Sequence, residues 1–419
     1  MSDLHPDPPG RSARLWGGAL TLVSVAVILF LTLTPVGPDH QLPLRLRLCL
    51  VCGEFGLANL LRNVMLFVPL GAGLALLYAR GFRAWIPAIV LTVFIETAQI
   101  FIPGRNPLLA DVLANAAGGG LGILFVLVLR ESLLGERAAS ATPVTWGRAG
   151  AALWIALPFL ALLGTAYSFR IAPPPPPHHI QIAPNLGHLD AYRAEVGPPI
   201  LSGDTLRVGR HPDPAFLEAA LFGGGSLEVE VGRAPVTRRV APIVSVYTAE
   251  QQELFLLGVQ RGDLVLRLPY RAASIGLHHS DLRLEGAREA IRDPGPTRVA
   301  YRMDAPESGA CLEVGAERRC GLRPGLREGW SLLYYPDVFT GRIRALLGWT
   351  WLIGLGIFPG LLAGSRRVAV ALWVALAGTT VVSPIVLGSL AATGLVDLLL
   401  LGVGVGVGAV AREILTERP

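Results

Sequence analysis

Eight stretches of this chain are long and apolar enough to cross a bilayer, and they constrain its fold more than any other feature. A hydrocarbon core about 30 Å thick needs about 20 apolar residues of helix to span it. Such runs lie near residues 15–36, 60–79, 84–102, 109–129, 149–169, 345–364, 368–387 and 393–411. In lipid, backbone polar groups must be satisfied within the segment, so each run is read as a helix. The first run follows the polar, Pro-rich stretch Met1 to Arg14. It is too long for a signal-peptide core and no A-x-A site follows it, so it is expected to stay as the first spanning helix.

The basic residues set the expected orientation. All are arginine, since the chain contains no lysine. With the N-terminus in the cytoplasm, Arg11, Arg14, Arg80, Arg83, Arg130, Arg137, Arg148, Arg366, Arg367, Arg412 and Arg418 fall on that side. The short outer loops hold Arg45, Arg47, Arg62 and Arg105, and Arg170, Arg342 and Arg344 sit at outer helix ends. The bias places both termini in the cytoplasm. The formal charge is only +5 and no basic block is interleaved with aromatics, so nucleic acid is not an expected partner.

Residues 170–342 leave the membrane. Pro173 to Pro177 read as a polyproline II stalk of roughly 15 Å. Beyond it the pattern alternates with period two, as in Leu227-Glu-Val-Glu-Val231, Leu264-Val-Leu-Arg-Leu268 and Val299-Ala-Tyr-Arg-Met303. Further apolar runs at 242–247, 253–259, 282–286, 311–314 and 330–335 are punctuated by Gly, Pro and Asp. Many short strands at this spacing predict an antiparallel β-sandwich. The expected organisation is a cytoplasmic N-terminus (1–14), a five-helix membrane domain (15–169), the extracytoplasmic sandwich (170–342), and three further helices with a cytoplasmic tail (343–419).

Polar side chains within spanning helices cost a few kcal/mol or more, so each needs a partner or a purpose. Helix two carries Asn63, helix three Glu96 and Gln99, and helix four Asp111 and Asn115. The last two pairs have helical spacing and share a face. At 1.5 Å per residue, Glu96 and Asn115 each lie about 9 Å from the outer ends of their helices. Asn63 and Asp111 are shallower, and Arg105 lies in the connecting loop. Glycines 118, 119, 120 and 122 allow close helix packing. Three readings stay open: a network that fixes helix register, a polar pocket open to the outer face with Arg105 facing an anionic head group, or acid–base work by Glu96 and Asp111. No nucleophile or metal set accompanies the carboxylates, so no catalytic residue, metal or cofactor is assigned.

Asn63, Phe67-Val-Pro69-Leu-Gly71, Glu96-x-x-Gln99, Pro103-Gly-Arg105, Asp111, Asn115, Gly118 and Gly122 together resemble the VanZ-like family. The resemblance covers about residues 15–130. It implies a role in the cell envelope and a link to resistance against glycopeptide antibiotics of the teicoplanin type. Residues 206–335 resemble the concanavalin-A-like, laminin-G-like sandwich through Pro242-Ile-Val-Ser-Val-Tyr247, Glu253-Leu-Phe-Leu-Leu-Gly258, Asp263-Leu-Val-Leu-Arg267, Val299-Ala-Tyr301 and Leu312-Glu-Val314. Such sandwiches bind carbohydrate or protein.

Cys311 and Cys320 bracket a hairpin in an oxidising compartment and are expected to pair. Cys49 and Cys52 form a C-x-x-C with no second ligand pair, which favours a disulfide or two thiols over zinc. His178-His179 and His278-His279 are read as surface loops, and Glu228 with Glu230 as the solvated face of a strand. Phe358-Pro359-Gly-Leu-Leu-Ala-Gly364 is similar to Phe67-Val-Pro-Leu-Gly-Ala-Gly73, and Asp397 with its glycines is similar to Asp111, which allows helices six to eight to be a degenerate copy of helices two to four. The leading reading is an envelope binding or accessory protein whose partner is an envelope lipid, a lipid-linked precursor or a glycan. An enzyme acting on an envelope lipid or glycan, and a transporter, are the alternatives.

Overall fold

A computed structural model describes residues 11–36, 44–51, 53–78, 81–134, 144–185, 189–292, 294–305, 308–335, 338–339 and 341–416. Its helices are α1 (Arg11–Leu33), α2 (Leu44–Arg47), α3 (Gly56–Leu77), α4 (Gly81–Gln99), α5 (Leu109–Leu134), α6 (Val144–Ser168), α7 (Pro214–Phe222), α8 (Arg271–Ser274), α9 (Ala287–Ala290), α10 (Gly341–Leu362), α11 (Arg366–Leu387) and α12 (Leu395–Thr416). Among the described residues seven helices are long and apolar enough to cross a membrane: α1, α3, α5, α6, α10, α11 and α12. The 19-residue α4 occupies the place of the remaining expected span. Large apolar side chains on these helices stand exposed, including Phe30, Ile385 and Val386 at 71%, 76% and 73%. Water would not tolerate so much apolar surface on a soluble protein, whereas lipid does. The chain is a polytopic helical membrane protein with a β domain.

By its contacts the chain divides into two units. One comprises Met1–Leu160, Leu352–Leu376 and Leu399–Pro419, and the other Ala161–Trp351 and Ala377–Leu398. In the first unit, Phe67, Leu70 and Leu74 of α3, Ala84, Ala88 and Ile95 of α4, and Ile123 and Val126 of α5 form one buried cluster with Ile28 of α1. Glycine brings α3 and α5 into backbone contact. A Cβ on Gly118 would stand 2.2 Å from the Val64 carbonyl oxygen, and one on Gly122 only 2.0 Å from that of Val68. The pair α10 and α12 meets in the same way, with Gly404 against the Ile353 carbonyl and Gly408 against that of Ile357.

The second unit holds two six-stranded antiparallel sheets. The strands are β1 (His178–Ile182), β2 (Ile200–Leu201), β3 (Asp204–Thr205), β4 (Gly209–Arg210), β5 (Ser226–Val231), β6 (Ala241–Thr248), β7 (Glu253–Gln260), β8 (Asp263–Arg267), β9 (Leu282–Leu284), β10 (Thr297–Arg302), β11 (Ala310–Val314) and β12 (Glu317–Leu322). One sheet has the order β4-β1-β6-β7-β8-β9 and the other β12-β11-β10-β5-β2-β3. Phe255 of β7 packs on Tyr301 of β10 at 5.0 Å between ring centres, which joins the inner faces. Adjacent strand residues face opposite ways. Leu256 therefore points outward, where it is buried with Val265, Leu189 and Val240. The first sheet is thus covered on both faces, and β6 and β7 read as near-continuous apolar runs for that reason. In the second sheet, β5 keeps strict alternation with one exposed face.

Several expectations change. The apolar run 330–335, read as a strand, instead begins on the last residues of a 3-10 helix, Leu326–Leu332, whose Leu326, Trp330 and Leu332 are buried. His178 and His278 are buried, not on surface loops; His178 lies in β1 and His278 packs its ring on Tyr335 at 4.2 Å. Pro173–Pro177 do not form a free stalk. The Ala172 amide donates to the Pro269 carbonyl (2.7 Å) and the Arg271 amide to the Arg170 carbonyl (2.8 Å) before the run, and after it His178 enters β1 opposite Thr248, so the run is held between two anchored ends as a strap. At the other end of the domain, Arg344 of α10 reaches the Asp281 carbonyl at 3.4 Å. Cys311 and Cys320 are joined across β11 and β12. Cys49 is disulfide-bonded, and Cys52 lies outside the described residues. Glu228 and Glu230 lie on the solvent side of β5, where the Arg298 guanidinium grips Glu228 at 2.7 and 2.9 Å.

Candidate functional site

The six polar residues singled out in the first helical group take up three kinds of position. Close packing of α3 on α5 brings Asn63 to Asp111, whose Oδ1 accepts from the Asn63 amide at 2.7 Å. Arg62 supplies a positive charge beside that carboxylate. Glu96, 8% exposed, reaches out of α4 to the start of α5, where its Oε2 accepts from the Leu108 amide at 2.9 Å. Leu108 has no side-chain acceptor for the unbonded amides of the first turn, so a carboxylate from the neighbouring helix serves as the cap. Negative charge is also favourable at the positive end of the α5 dipole.

Asn115, 2% exposed, donates from Nδ2 to the Thr92 hydroxyl at 2.9 Å. Its Oδ1 is buried without a hydrogen-bond partner. A buried acceptor left in that state costs about 1–3 kcal/mol. Thr92 was not singled out from the sequence, although it lies one turn before Glu96 on the same face of α4.

Gln99 and Arg105 turn the other way. Gln99 donates to the Thr32 carbonyl at 3.0 Å. Arg105 donates from Nε to the Thr34 carbonyl at 2.9 Å and from Nη2 to that of Leu31 at 2.5 Å. The last carbonyls of a helix lack intrahelical partners and attract cations. The guanidinium is therefore placed on the end of α1 rather than over the Glu96–Asp111 pair.

A second concentration of charge lies in the β domain. Asp281 accepts from Arg267 Nε at 2.8 Å and from Arg283 Nη2 at 3.1 Å. Arg267 also faces Glu253 at 3.8 Å, and Arg283 faces Asp263 at 3.5 Å. Burial alone would raise the Asp281 carboxyl, but Arg267 and Arg283 outweigh it and hold it below its ordinary range. Ser280 donates to Glu328, whose carboxyl is pushed up by burial despite that bond. Burial, with Arg267 beside it, brings His279 down to about 4, so the ring is neutral at pH 7. The Asp281 network is a paired, hydrogen-bonded set with the character of a structural core.

A comparison with curated proteins and with solved structures gives no significant match. Residues 19–130 match the family model described as VanZ/LLP1. That stretch contains α3, α4 and most of α5, and with them Asn63, Glu96, Gln99, Arg105, Asp111 and Asn115. In its first membrane segment this chain is similar to the VanZ/LLP1 family.

Proposed function

We propose that the chain is a non-enzymatic accessory protein of the cell envelope, with a polar binding site among α3, α4 and α5. On this reading the five-helix part (15–169) holds the site and both termini are cytoplasmic. Residues 170–342 form an extracytoplasmic, concanavalin-A-like recognition module, and residues 343–419 complete the membrane part. The ligand is an envelope lipid, a lipid-linked precursor or a glycan, and the family likeness extends the proposal to glycopeptide resistance.

One observation carries the reading. Two carboxylates, Glu96 and Asp111, gather in the three-helix group with the buried Oδ1 of Asn115, which has no hydrogen-bond partner among the described residues. Charged and polar groups at such positions are costly in a bilayer unless something answers them. A donor-rich group, hydroxyl or ammonium, fits this set better than an anion, because Arg105 is engaged with α1. A transporter remains the second reading, favoured by the matching packing of α3 on α5 and α10 on α12.

Native mass spectrometry of detergent-purified protein tests the site. The wild-type chain should retain a ligand mass that Glu96→Gln loses, with its melting temperature lowered by no more than a few degrees. A wild-type chain without adduct, or equal retention in both, would remove the proposal.

A further inference from the structure

The two glycine-packed helix pairs agree residue by residue. In α5, Gly118 and Gly122 follow Asp111 by seven and eleven residues; in α12, Gly404 and Gly408 follow Asp397 by the same seven and eleven. Gly118 and Gly122 meet the carbonyls of Val64 and Val68, and Gly404 and Gly408 meet those of Ile353 and Ile357. A Cβ on Gly71 would meet Gly119, and one on Gly360 would meet Val405, the residues directly after Gly118 and Gly404. Trp85 of α4 donates to the Ala116 carbonyl, two residues before Gly118. Trp373 of α11 lies against Gly402, two residues before Gly404. The helix before each trio is also gripped alike, since Arg105 binds carbonyls at the end of α1 and the Leu390 amide donates to Phe169 at the end of α6. This register is two residues away from the Phe67–Phe358 match suggested by sequence alone.

Aligned in this register, the copies share what packs and differ in what is polar. Asp111 matches Asp397, and Thr92 matches Thr380. Asn63, Glu96 and Asn115 are replaced by Leu352, Pro384 and Leu401. Without a glutamate to cap the first turn, Asp397 caps its own helix, and its Oδ2 accepts from the Gly394 amide at 2.9 Å. Gly394 is the counterpart of Leu108, whose amide Glu96 takes in the first copy.

The second copy also has an occupant. Pro324-Gly-Leu-Arg327 of this same chain runs beside Ala392: the Ala392 amide donates to the Pro324 carbonyl at 2.8 Å, and Gly325 bridges Ala392 in parallel. Arg327 places Nη1 3.9 Å from Oδ1 of Asp397, which is 2% exposed; the contact is an ion pair, and Oδ1 takes no hydrogen bond among the described residues. In the first copy the matching positions are Asn106 and Asp111, where the polar groups are kept and an acceptor, Asn115 Oδ1, is buried without a hydrogen-bond partner.

We infer that the chain contains two copies of a four-helix unit, and that the first copy receives an extended peptide segment bearing a basic side chain, seated as Pro324–Arg327 are in the second. The inference rests on the reading of α3, α4 and α5 as a binding site, and narrows its ligand to one with a peptide part. The peptide backbone runs beside residues 105–107, and the basic group meets Asp111 and Glu96.

Fluorescence anisotropy on the full chain in detergent, with fluorescein-labelled Pro-Gly-Leu-Arg amide as probe, tests it. Wild type should bind saturably. Asp111→Asn should weaken binding at least roughly tenfold, the loss typical of a charged hydrogen-bonded partner. Asp397→Asn should leave it unchanged, because its copy is filled by a tethered segment at high effective concentration. A probe with Gln in place of Arg should lose the same tenfold on wild-type protein, an arm independent of variant folding. Equal binding of the Arg and Gln probes, or no binding, overturns the inference. If the probe fails while the Glu96-dependent adduct persists, the binding site stands and only its peptide ligand falls; if both fail, neither stands.

Discussion

Asp281 and Glu328 are neighbours in the β domain with opposite electrostatic fates. Two arginines hold the Asp281 proton off, so its charged form stabilises the fold. A carboxyl held low contributes stability above its unfolded pKa, about 3.9, and loses it as pH falls through the folded value. Glu328 has the reverse sign. Its raised pKa means the folded state holds the proton longer, so its contribution is present below the unfolded value near 4.3 and is lost as pH rises through the folded one. Asp281→Asn should therefore cost about 3 kcal/mol at pH 7 by leaving Arg267 and Arg283 buried without their carboxylate. Glu328→Gln should be neutral or stabilising, and should flatten the loss of stability above pH 4.3. Denaturant titrations across pH would show this; an Asp281→Asn variant as stable as wild type would contradict it. At the candidate site, residue spacing made the shared faces of Glu96 with Gln99 and Asp111 with Asn115 legible. The direction of each side chain was not, because Gln99 and Arg105 answer carbonyls of α1, a helix far away in sequence.

Glycine decides which helices can touch. Gly122→Val should destabilise by at least about 2 kcal/mol, the scale of an overpacked core, because its Cβ meets carbonyl oxygen and amide nitrogen rather than a side chain that could yield. Gly406→Ala, with open space at the same distance, should be silent. Thermal melts of the two variants in one detergent would separate them, and equal melting would refute the packing assignment. The helices were legible because lipid imposes length and apolarity together. The strands β5, β6, β7, β8 and β10 were legible from their apolar runs. What the period rule missed is short or pinned by distant contacts: β2, β3 and β4 are two-residue pairings, and the apolar run 330–335 starts on the end of a 3-10 helix, Leu326–Leu332. The helix α7 was missed although Asp213-Pro214 is a sound start signal; the Asp213 side chain accepts from the Phe216 amide at 3.0 Å.

At the scale of the whole chain, the proposed topology with residues 170–342 outside rests on the arginine distribution. Membrane-impermeant maleimide applied to intact cells should label Val208→Cys, an exposed loop position, and spare Glu131→Cys at the end of α5. The opposite pattern would invert the topology. Two of the attachments between the β domain and its flanking helices fall on one stretch of chain. After α6, Arg170 and Ala172 are bonded to Pro269 and Arg271; in α10, Arg344 reaches Asp281. Both attachments grip the stretch between β8 and β9. A rigid body tied at one flexible point can spin and precess, but one tied at two keeps a single rotation, about the line through them. A third tie, the Ala392 amide on the Pro324 carbonyl, takes that rotation away as well. The two sheets are thus fastened to the adjoining helix ends of their own unit with no free axis left, as a bracket is by its third screw.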